Sequence, residues 1–376
     1  MQGIYIATYD LKNAGSGVSK KINAQISALK TAGMEVEVLD ATAVDLPKSS
    51  KIKSLVGAVL GTYRGKLHAL LELAIKKIED GGQYDFLYIR KGLLDMEQVR
   101  SLRRIKELSS KTRILLEIPT YPYDGEIRFY DYPFLCRDRQ ARRQLCGCVD
   151  RIVTYSEDEG IFGVPTIQIH NGADYQNTAV RACTEHAGIH LIAVALFDSW
   201  HGYDRVIQGM KNDLALVKQN DLHLLLVGSG RAIPGYKKLV ERYGLSEYVH
   251  FLGLKSGDEL KELYDISDIG LDAMGRHRGG VYYNSTLKGK EYCARGIPSI
   301  SGVRTELDAE KDFPYYLRVP ADDSPVSVSD ILEFYHRIYD GRQPVTVACE
   351  IRDITAEKFD MNNVFTPVIT YLQGDQ

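Results

Sequence analysis

Short apolar runs alternate with longer amphipathic segments along the whole chain, a pattern typical of a parallel sheet covered by helices. The apolar runs predict strands at 3–8, 36–39, 84–90, 113–118, 150–154, 190–196, 222–227, 249–252 and 269–274. Helical spacing predicts helices at 19–32, 96–111, 233–243, 256–266 and about 356–372. The pattern restarts near residue 190, after a polar stretch at 175–188 that is interpreted as a linker. We therefore expect an α/β protein of two doubly wound parallel-sheet domains, at 1–174 and 187–355.

The amphipathic segment 51–77 leaves two interpretations open. Its apolar residues repeat at helical spacing, and lysines and arginines occupy many of the positions between them. Such a helix usually covers a sheet, but its early part would also suit an anionic membrane surface.

Composition narrows the class of protein further. Hydrophobic residues make up 44% of the chain, charged residues 26%, and the net charge is -3, so nothing global argues for nucleic acid as a partner. Residues 1–150 carry 24 lysines and arginines against 18 acidic residues, which suits anionic lipid or a phosphorylated substrate. The six cysteines show no paired framework, no run reaches the length of a membrane span, and the first strand begins without a signal peptide. The expected location is the cytoplasm, with peripheral binding to the inner face of the cell membrane as an alternative.

The polar stretch from Asn284 to Pro298 is the strongest candidate binding motif. It predicts a short helix that is capped by Asn284 or Ser285 and followed by a strand. The first turn of such a helix leaves N–H groups for an anion, and Lys288 stands in that turn. Glu291 follows three residues later and shares its helix face. This combination fits a ribose linked to a diphosphate, while a surface Lys–Glu pair on an ordinary helix is the alternative.

Two further segments follow predicted strands at the edge where open α/β sheets bind ligands. Gly15, Ser16 and Gly17 would let the backbone approach a phosphate, although the third glycine of a dinucleotide fingerprint is absent. The second segment offers aromatic and acidic side chains for a polyhydroxylated acceptor, namely Glu117, Tyr121, Tyr123, Asp124 and Glu126. A stiff proline-rich loop with scattered polar residues is the alternative for this second segment.

Five segments of the second half resemble, in the same order, those of the retaining, nucleotide-sugar-dependent glycosyltransferases of family 4. They lie at 171–174, 197–205, 227–230, 250–253 and 285–298, and two of them look like a branch found among bacterial surface-polysaccharide enzymes. The resemblance covers about half of the chain. It implies the GT-B fold, with two Rossmann-like domains, an interdomain cleft and a C-terminal helix at 356–376 that crosses back to the N-terminal domain.

The resemblance also implies roles for individual residues. Glu291 would bind the donor ribose, Lys288 the diphosphate, and the turn from Gly253 to Lys255 the nucleotide base. The implied donor-binding residues are Gly15, Ser16, Gly17, His201, Gly228, Gly230, Gly253, Lys255, Arg276, Tyr283, Ser285, Thr286, Leu287 and Glu291. The implied acceptor-binding residues are Tyr121, Tyr123, Asp124 and Glu126.

Two positions depart from the family pattern. Tyr283 stands where the family usually has a glutamate that reads the donor sugar, so these contacts would come from the backbone at 281–284. His201 stands where the family has a phosphate-binding lysine. Arg205 or Arg276 would share that task, or a protonated His201 would bind the phosphate, with a structural role for His201 as the alternative.

These residues predict a mechanism in which the departing diphosphate is neutralised by cations and helix N–H groups. Lys288 and Arg205 are the expected cations, and Glu117 is the candidate base or acceptor-orienting group. No Asp-X-Asp motif lies in a plausible loop, so we expect metal independence and no cofactor beyond the co-substrate, a UDP- or GDP-sugar.

The predicted function is a retaining, hexosyltransferase-type glycosyltransferase that acts in bacterial polysaccharide or glycoconjugate synthesis. Its expected partners are a nucleotide-sugar donor, a glycan or lipid-linked oligosaccharide acceptor and an anionic membrane surface. Two alternatives are a catalytically silent GT-B partner subunit and a sugar-nucleotide epimerase.

Overall fold

The computed structural model describes residues 1–12, 17–45, 54, 57, 64–127, 129–310 and 312–374. It divides the chain into two compact units, one of Met1–His170 with Met361–Gln376 and one of Asn171–Asp360. Residues 175–188 therefore belong to the second unit and are not a linker. Arg181 attaches this stretch to the second unit. Its buried guanidinium donates hydrogen bonds to the Ser267 carbonyl and the Tyr339 hydroxyl, which both belong to that unit.

The first unit is built on one sheet. Its described strands are β1 Gln2–Ile6, β2 Glu35–Leu39, β3 Phe86–Arg90, β4 Arg113–Ile118, β5 Arg151–Thr154, β6 Gly160–Ile161 and β7 Val164–Gln168. They lie in the order β2-β1-β3-β4-β5-β7-β6, with β6 antiparallel to β7 and the other pairs parallel. Its helices include α1 Gly17–Thr31, α2 Lys66–Glu79, α3 Met96–Leu108 and α4 Tyr132–Ala141. All five residues of β3 are buried, as expected for a strand covered on both faces.

The second unit repeats this architecture. Its strands are β8 Ile189–Phe197, β9 Leu222–Gly230, β10 Val249–Gly253, β11 Ile269–Leu271, β12 Ser299–Ser301 and β13 Tyr316–Arg318, all parallel in the order β10-β9-β8-β11-β12-β13. Its helices are α5 Asp204–Asn212, α6 Leu214–Gln219, α7 Ile233–Tyr243, α8 Gly257–Asp265, α9 Leu287–Arg295, α10 Val328–Tyr339 and α11 Pro344–Phe359. The expectation of two parallel-sheet α/β domains is confirmed.

The C-terminal segment differs from the predicted single helix. The structure has α11, then α12 Met361–Val364 and α13 Thr366–Gln373. Asp360 adopts an extended backbone (φ -62, ψ 134) that ends α11, and Pro367 suits the start of a new helix. The last two helices belong to the first unit, where the Arg113 guanidinium donates a 2.7 Å hydrogen bond to the Leu372 carbonyl.

The membrane hypothesis concerned the early part of segment 51–77, most of which lies outside the described residues. The later part of the segment lies in α2. Within the described part of the chain, no helix combines the length and apolar character needed to cross a membrane. All six cysteines are free thiols.

Candidate functional site

A candidate site lies at the carboxyl edge of the second sheet, where the strand order reverses. The chain proceeds from β8 to β9 on one side and, after β10, returns to β11 on the other side of β8. Loops after such adjacent strands diverge and leave a crevice for a ligand. Here the loops after β8 and β11 touch, because the Met274 N–H donates a 2.7 Å hydrogen bond to the His201 carbonyl. Gly202 (φ +66) permits this approach, since a Cβ there would lie 2.5 Å from the Gly275 nitrogen.

The N-terminus of α9 faces this edge and is capped by Thr286. The Thr286 hydroxyl accepts the Gly289 N–H at 3.2 Å and donates to Oδ2 of Asp272 at 2.6 Å. The predicted caps were wrong, because the buried Ser285 hydroxyl instead accepts the Asn171 N–H at 2.6 Å. Leu287 is the first helical residue, and N–H groups at the start of a helix have no partner within it.

Lys288 stands in the first turn of α9 with its side chain 20% exposed. Its Nζ lies 4.0 Å from Oδ1 of Asp272. Burial lowers the pKa of Lys288 to about 8; Asp272 opposes this shift, whereas Arg276 adds to it. The ammonium is therefore protonated at neutral pH and is available to an anion at the helix start.

His201 is neutral in this environment, which argues against the alternative in which a protonated His201 binds the phosphate. Burial, Lys288 and Arg276 together lower the pKa of His201 to about 2. Its Nδ1 accepts the Asp198 N–H at 2.9 Å, which leaves the proton of the neutral ring on Nε2. His201 can therefore offer a neutral N–H donor.

Arg205 is a scaffold residue, which corrects its predicted role in neutralising the leaving group. Its buried guanidinium donates to three backbone carbonyls, those of Ser324 at 2.7 Å, Pro320 at 3.0 Å and Met274. These bonds hold the loop that follows β11 against the loop that follows β13. The same loop is held by Arg278, which binds both Asp204 and Asp323.

Replacing Arg205 should therefore affect stability more directly than chemistry. Arg205→Met removes the donors of three carbonyls, which should lower the free energy of unfolding by about 3 kcal/mol. Urea denaturation measures the change, with Arg242→Met on the exposed last turn of α7 as the matched control. If Arg205→Met lost turnover without losing stability, the result would support a catalytic role for Arg205 instead.

Glu291 lies one turn after Lys288 and is held in place by protein contacts. Its Oε1 accepts the Arg295 guanidinium N–H at 3.2 Å. Burial and the nearby Glu291 carboxylate raise the pKa of Tyr264 well above its usual value. The side chain is 37% exposed. Glu291 thus presents a pre-oriented carboxylate that can accept hydrogen bonds from hydroxyl groups.

The glycines expected near the nucleotide lie at strand ends of the second sheet. Gly228 (φ +133) and Gly230 (φ +150) end β9, where a Cβ would collide with the carbonyls of Ala195 and Phe197 on β8. Gly253 (φ +69) ends β10 and leads into Leu254, a residue that is 75% exposed. The next residue is Lys255, which pairs with Glu259. The exposed Leu254 offers an apolar face at this turn.

Two further predicted donor residues border the start of α9. Arg276 opens a 3₁₀ turn after β11 and acts electrostatically on both Lys288 and His201. Tyr283 is half-buried, and the Arg304 guanidinium lies 5.0 Å from the centre of its ring. Position 283 thus presents a tyrosine ring beside a guanidinium, and it offers no carboxylate to a ligand.

Glu117 in the first unit is sealed in a buried network, which corrects its predicted role as a base. Its carboxylate accepts from Lys21 at 3.2 Å, Tyr88 at 2.8 Å, Gln25 at 3.2 Å and Arg90. Burial alone would raise the pKa of Glu117, but Lys21 and Arg90 outweigh it and lower the pKa to about 2. A fully buried carboxylate with so low a pKa is a poor proton acceptor.

The predicted acceptor residues are also engaged within the first unit. The Tyr123 hydroxyl donates to Asp138 at 2.5 Å, and Asp124 accepts from Arg142 at 2.6 Å and from Arg139 at 3.0 Å. The buried Tyr123 is therefore closed to a sugar, which corrects its predicted role. The Asp124 side chain remains 32% exposed, and its role in binding the acceptor stays a prediction. The half-buried Tyr121 packs edge-on against Phe162 at 5.7 Å.

Three of the predicted site residues lie wholly or partly outside the residues that the structure describes. Gly15, Ser16 and the side chain of Glu126 lie outside the described residues. Gly17 is described and is the first residue of α1.

Comparison with known proteins identifies the fold through solved structures. No protein-family model matches the chain, and no curated protein sequence matches it. A sucrose-phosphate synthase from Thermosynechococcus elongatus matches over 100% of both chains, with 14% identity and a TM-score of 0.66. WaaG, a glycosyltransferase involved in lipopolysaccharide biosynthesis, matches over 100% of both chains with 13% identity and a TM-score of 0.63. An alpha-glucosyltransferase in complex with UDP and a 13-mer DNA matches over 99% of this chain and 100% of its own, with 13% identity and a TM-score of 0.61.

The chain has the GT-B fold. At these identities the similarity establishes the architecture of the two sheets, and the chemistry of the site has to be argued from the residues of this chain. The predicted fold class is confirmed.

Sequence reasoning missed one residue of this candidate site, Asp272. The predicted strand ran on to residue 274, which placed Asp272 inside a strand, whereas β11 ends at Leu271. An acidic residue directly after a buried strand is a signal for the ligand edge of an α/β sheet. With the strand end set correctly, that signal would have identified Asp272.

Metal ligands were not expected at this site. Among the residues that the structure describes, no group of three or more histidine, cysteine, aspartate or glutamate side chains is arranged to hold a metal ion. Metal independence stays a prediction.

Proposed function

We propose that this GT-B protein is a retaining, metal-independent glycosyltransferase that uses a nucleotide-diphosphate sugar. The observation that carries the proposal is the start of α9, where Lys288 lies beside the Thr286 cap and Glu291 follows one turn later. A cation and helix N–H groups suit a diphosphate, and an adjacent carboxylate suits ribose hydroxyls.

The solved structures support a nucleotide donor. Proteins of the same fold include a sucrose-phosphate synthase and the glycosyltransferase WaaG, and one alpha-glucosyltransferase was solved with UDP. The turn at Gly253–Lys255 would hold the base, with the exposed Leu254 as its apolar contact. UDP- or GDP-sugars of the hexose type are the proposed donors.

Bond cleavage would be assisted by charge placed at the leaving group. As the sugar–phosphate bond breaks, the diphosphate gains negative charge, which Lys288, Arg276 and the start of α9 would stabilise. The Nε2–H of the neutral His201 could add a hydrogen bond to the same phosphate. Retention by a front-face route requires no protein nucleophile, because the departing phosphate oxygen can take the acceptor proton. This route is compatible with the sealed position of Glu117.

The proposed acceptor is a glycan, carried on a lipid, in bacterial polysaccharide or glycoconjugate synthesis. The surplus of lysine and arginine in residues 1–150 supports an anionic or phosphorylated partner on the first unit. A cytoplasmic location with peripheral membrane contact fits such an acceptor.

A second candidate is a GT-B subunit that binds the nucleotide sugar without transferring it. Tyr283 favours the silent subunit, because its side chain offers no carboxylate to the donor sugar. The two candidates share the site at α9 and differ only in turnover.

A panel of UDP-, GDP- and dTDP-sugars separates these candidates. A glycosyltransferase should release nucleoside diphosphate from one donor, faster with acceptor present and equally fast after chelation. Binding of a donor without any release would favour the silent subunit. No binding of any donor would refute both, and strict Mn²⁺ dependence would contradict the metal-independent mechanism.

Glu291 provides a specific test of nucleotide recognition. Glu291→Ala should lower kcat/KM for the nucleotide sugar by about 10²-fold, since two charge-assisted hydrogen bonds to ribose are lost. Steady-state kinetics measures the change, with Glu262→Ala on the exposed face of α8 as the matched control. A loss confined to kcat, with unchanged binding, would contradict a role in holding the ribose.

A further inference from the structure

Asp272 has an unusual set of partners at the start of α9. It is the first residue after β11 and is 2% exposed. Its Oδ2 accepts from the Thr286 hydroxyl at 2.6 Å and from the Ser301 hydroxyl at 3.3 Å. Its Oδ1 is buried without a hydrogen-bond partner in the described part of the chain. That orphan oxygen lies 4.0 Å from the Lys288 ammonium.

We propose that Asp272 is a positioning residue for the phosphate site, an inference that rests on the proposed function. Through Oδ2 it fixes Thr286, and hence the first turn of α9. Through Oδ1 it holds the Lys288 ammonium in place and charged, without consuming its N–H groups. A distance of 4.0 Å is too long for a hydrogen bond but short for an electrostatic attraction. The donors of Lys288 therefore remain free for a phosphate.

The charged surroundings of Lys288 show why a counter-charge is needed there. The groups that face it are Asp272 after β11, Arg276 in the following turn and the neutral His201 after β8. Arg276 and burial both favour the neutral amine, and Asp272 is the one group of these three that favours the ammonium. Without its carboxylate, the pKa of Lys288 would fall below the present value of about 8.

This arrangement predicts a pH dependence with a definite sign. Lys288 binds phosphate as the ammonium, so affinity is full below its pKa and falls by up to about tenfold per pH unit above it. Loss of the carboxylate would move the start of this fall to lower pH. At low pH the same change removes a negative charge near the phosphate, so affinity there should be equal or higher.

The test is calorimetric titration of the full-length protein with UDP and with GDP between about pH 6 and pH 9.5, the range that brackets a lysine of this pKa. Asp272→Asn retains an acceptor for Thr286 and should bind as tightly as wild type at the acidic end. At the alkaline end it should bind at least about fivefold more weakly, with an earlier midpoint. Ser301→Ala, which removes a hydrogen bond to Oδ2 but leaves Oδ1 in place, should keep the wild-type midpoint. Asp272→Ser serves as a second variant if Asp272→Asn does not fold.

Lys288→Arg identifies the titrating group. A guanidinium stays charged throughout this range, so the alkaline fall should disappear both in Lys288→Arg and in the double variant with Asp272→Asn. An Asp272→Asn midpoint equal to that of wild type would overturn the proposal. So would a loss of affinity for the nucleotide sugar alone, which would make Asp272 a sugar-reading residue. Wild-type protein that binds neither UDP nor GDP at any pH would overturn the proposed function as well.

Discussion

Lys288→Ala should lower turnover by at least about 10²-fold while the fold stays intact, because it removes a charge-stabilising contact to the departing diphosphate. Lys288 is the cation in the first turn of α9, and its side chain reaches solvent, unlike the sealed Arg205. The effect should appear in kcat and in kcat/KM together, since the charge it neutralises is largest in the transition state. Steady-state release of nucleoside diphosphate is the measurement.

Lys218→Ala is the matched control for this experiment. Lys218 lies in the exposed last turn of α6 in the same unit, so its loss changes the net charge equally. The control should keep wild-type turnover, and thermal melting should show both variants folded. Near-normal turnover of Lys288→Ala would refute the proposed phosphate site.

Glu117→Ala should destabilise the first unit by about 3–5 kcal/mol, the range for breaking a buried charge network. The substitution leaves Lys21 and Arg90 buried without their counter-charge and removes the acceptor of Tyr88. Denaturant unfolding of the full chain is the measurement. The transition of the first unit should move to lower urea concentration.

Glu107→Ala, on the exposed face of α3, is the control and should leave that transition in place. The pH profile of wild-type turnover gives a second check. With a pKa of about 2, Glu117 stays ionised throughout the neutral range and should contribute no limb to the profile. Unchanged stability of Glu117→Ala combined with lost turnover would restore Glu117 as a catalytic base.

The elements that local pattern determines were predictable from the sequence. The strand Arg113–Ile118 and the helix Ile233–Tyr243 were predicted to the residue. Pro119 directly follows the strand and Gly244 directly follows the helix, and both residue types commonly end such elements. The pairing of Lys288 with Glu291 on one helix face follows from the same periodicity. The reversal of strand order that creates the site is set by tertiary contacts and could not be read from spacing.

The errors in the roles of Glu117, Arg205 and Ser285 share one physical cause, which is that sequence alone does not show what a polar side chain contacts. Glu117 and Arg205 were predicted to act on substrate, and both prove to be buried among partners that lie far apart in the chain. The cap of α9 was placed on Ser285 or Asn284, but the Ser285 hydroxyl is taken by Asn171. Asp272 was overlooked for a different reason, because the predicted strand ran on to residue 274, past the end of β11 at Leu271.

The central claim, that the start of α9 binds the diphosphate of a nucleotide sugar, is tested most directly by a crystal structure with UDP or GDP bound. The predicted result places a phosphate within hydrogen-bond distance of the Lys288 ammonium and of N–H groups in the first turn of α9, with Glu291 on the ribose. A diphosphate bound elsewhere, with Lys288 and Glu291 contacting no part of the nucleotide, would contradict the claim.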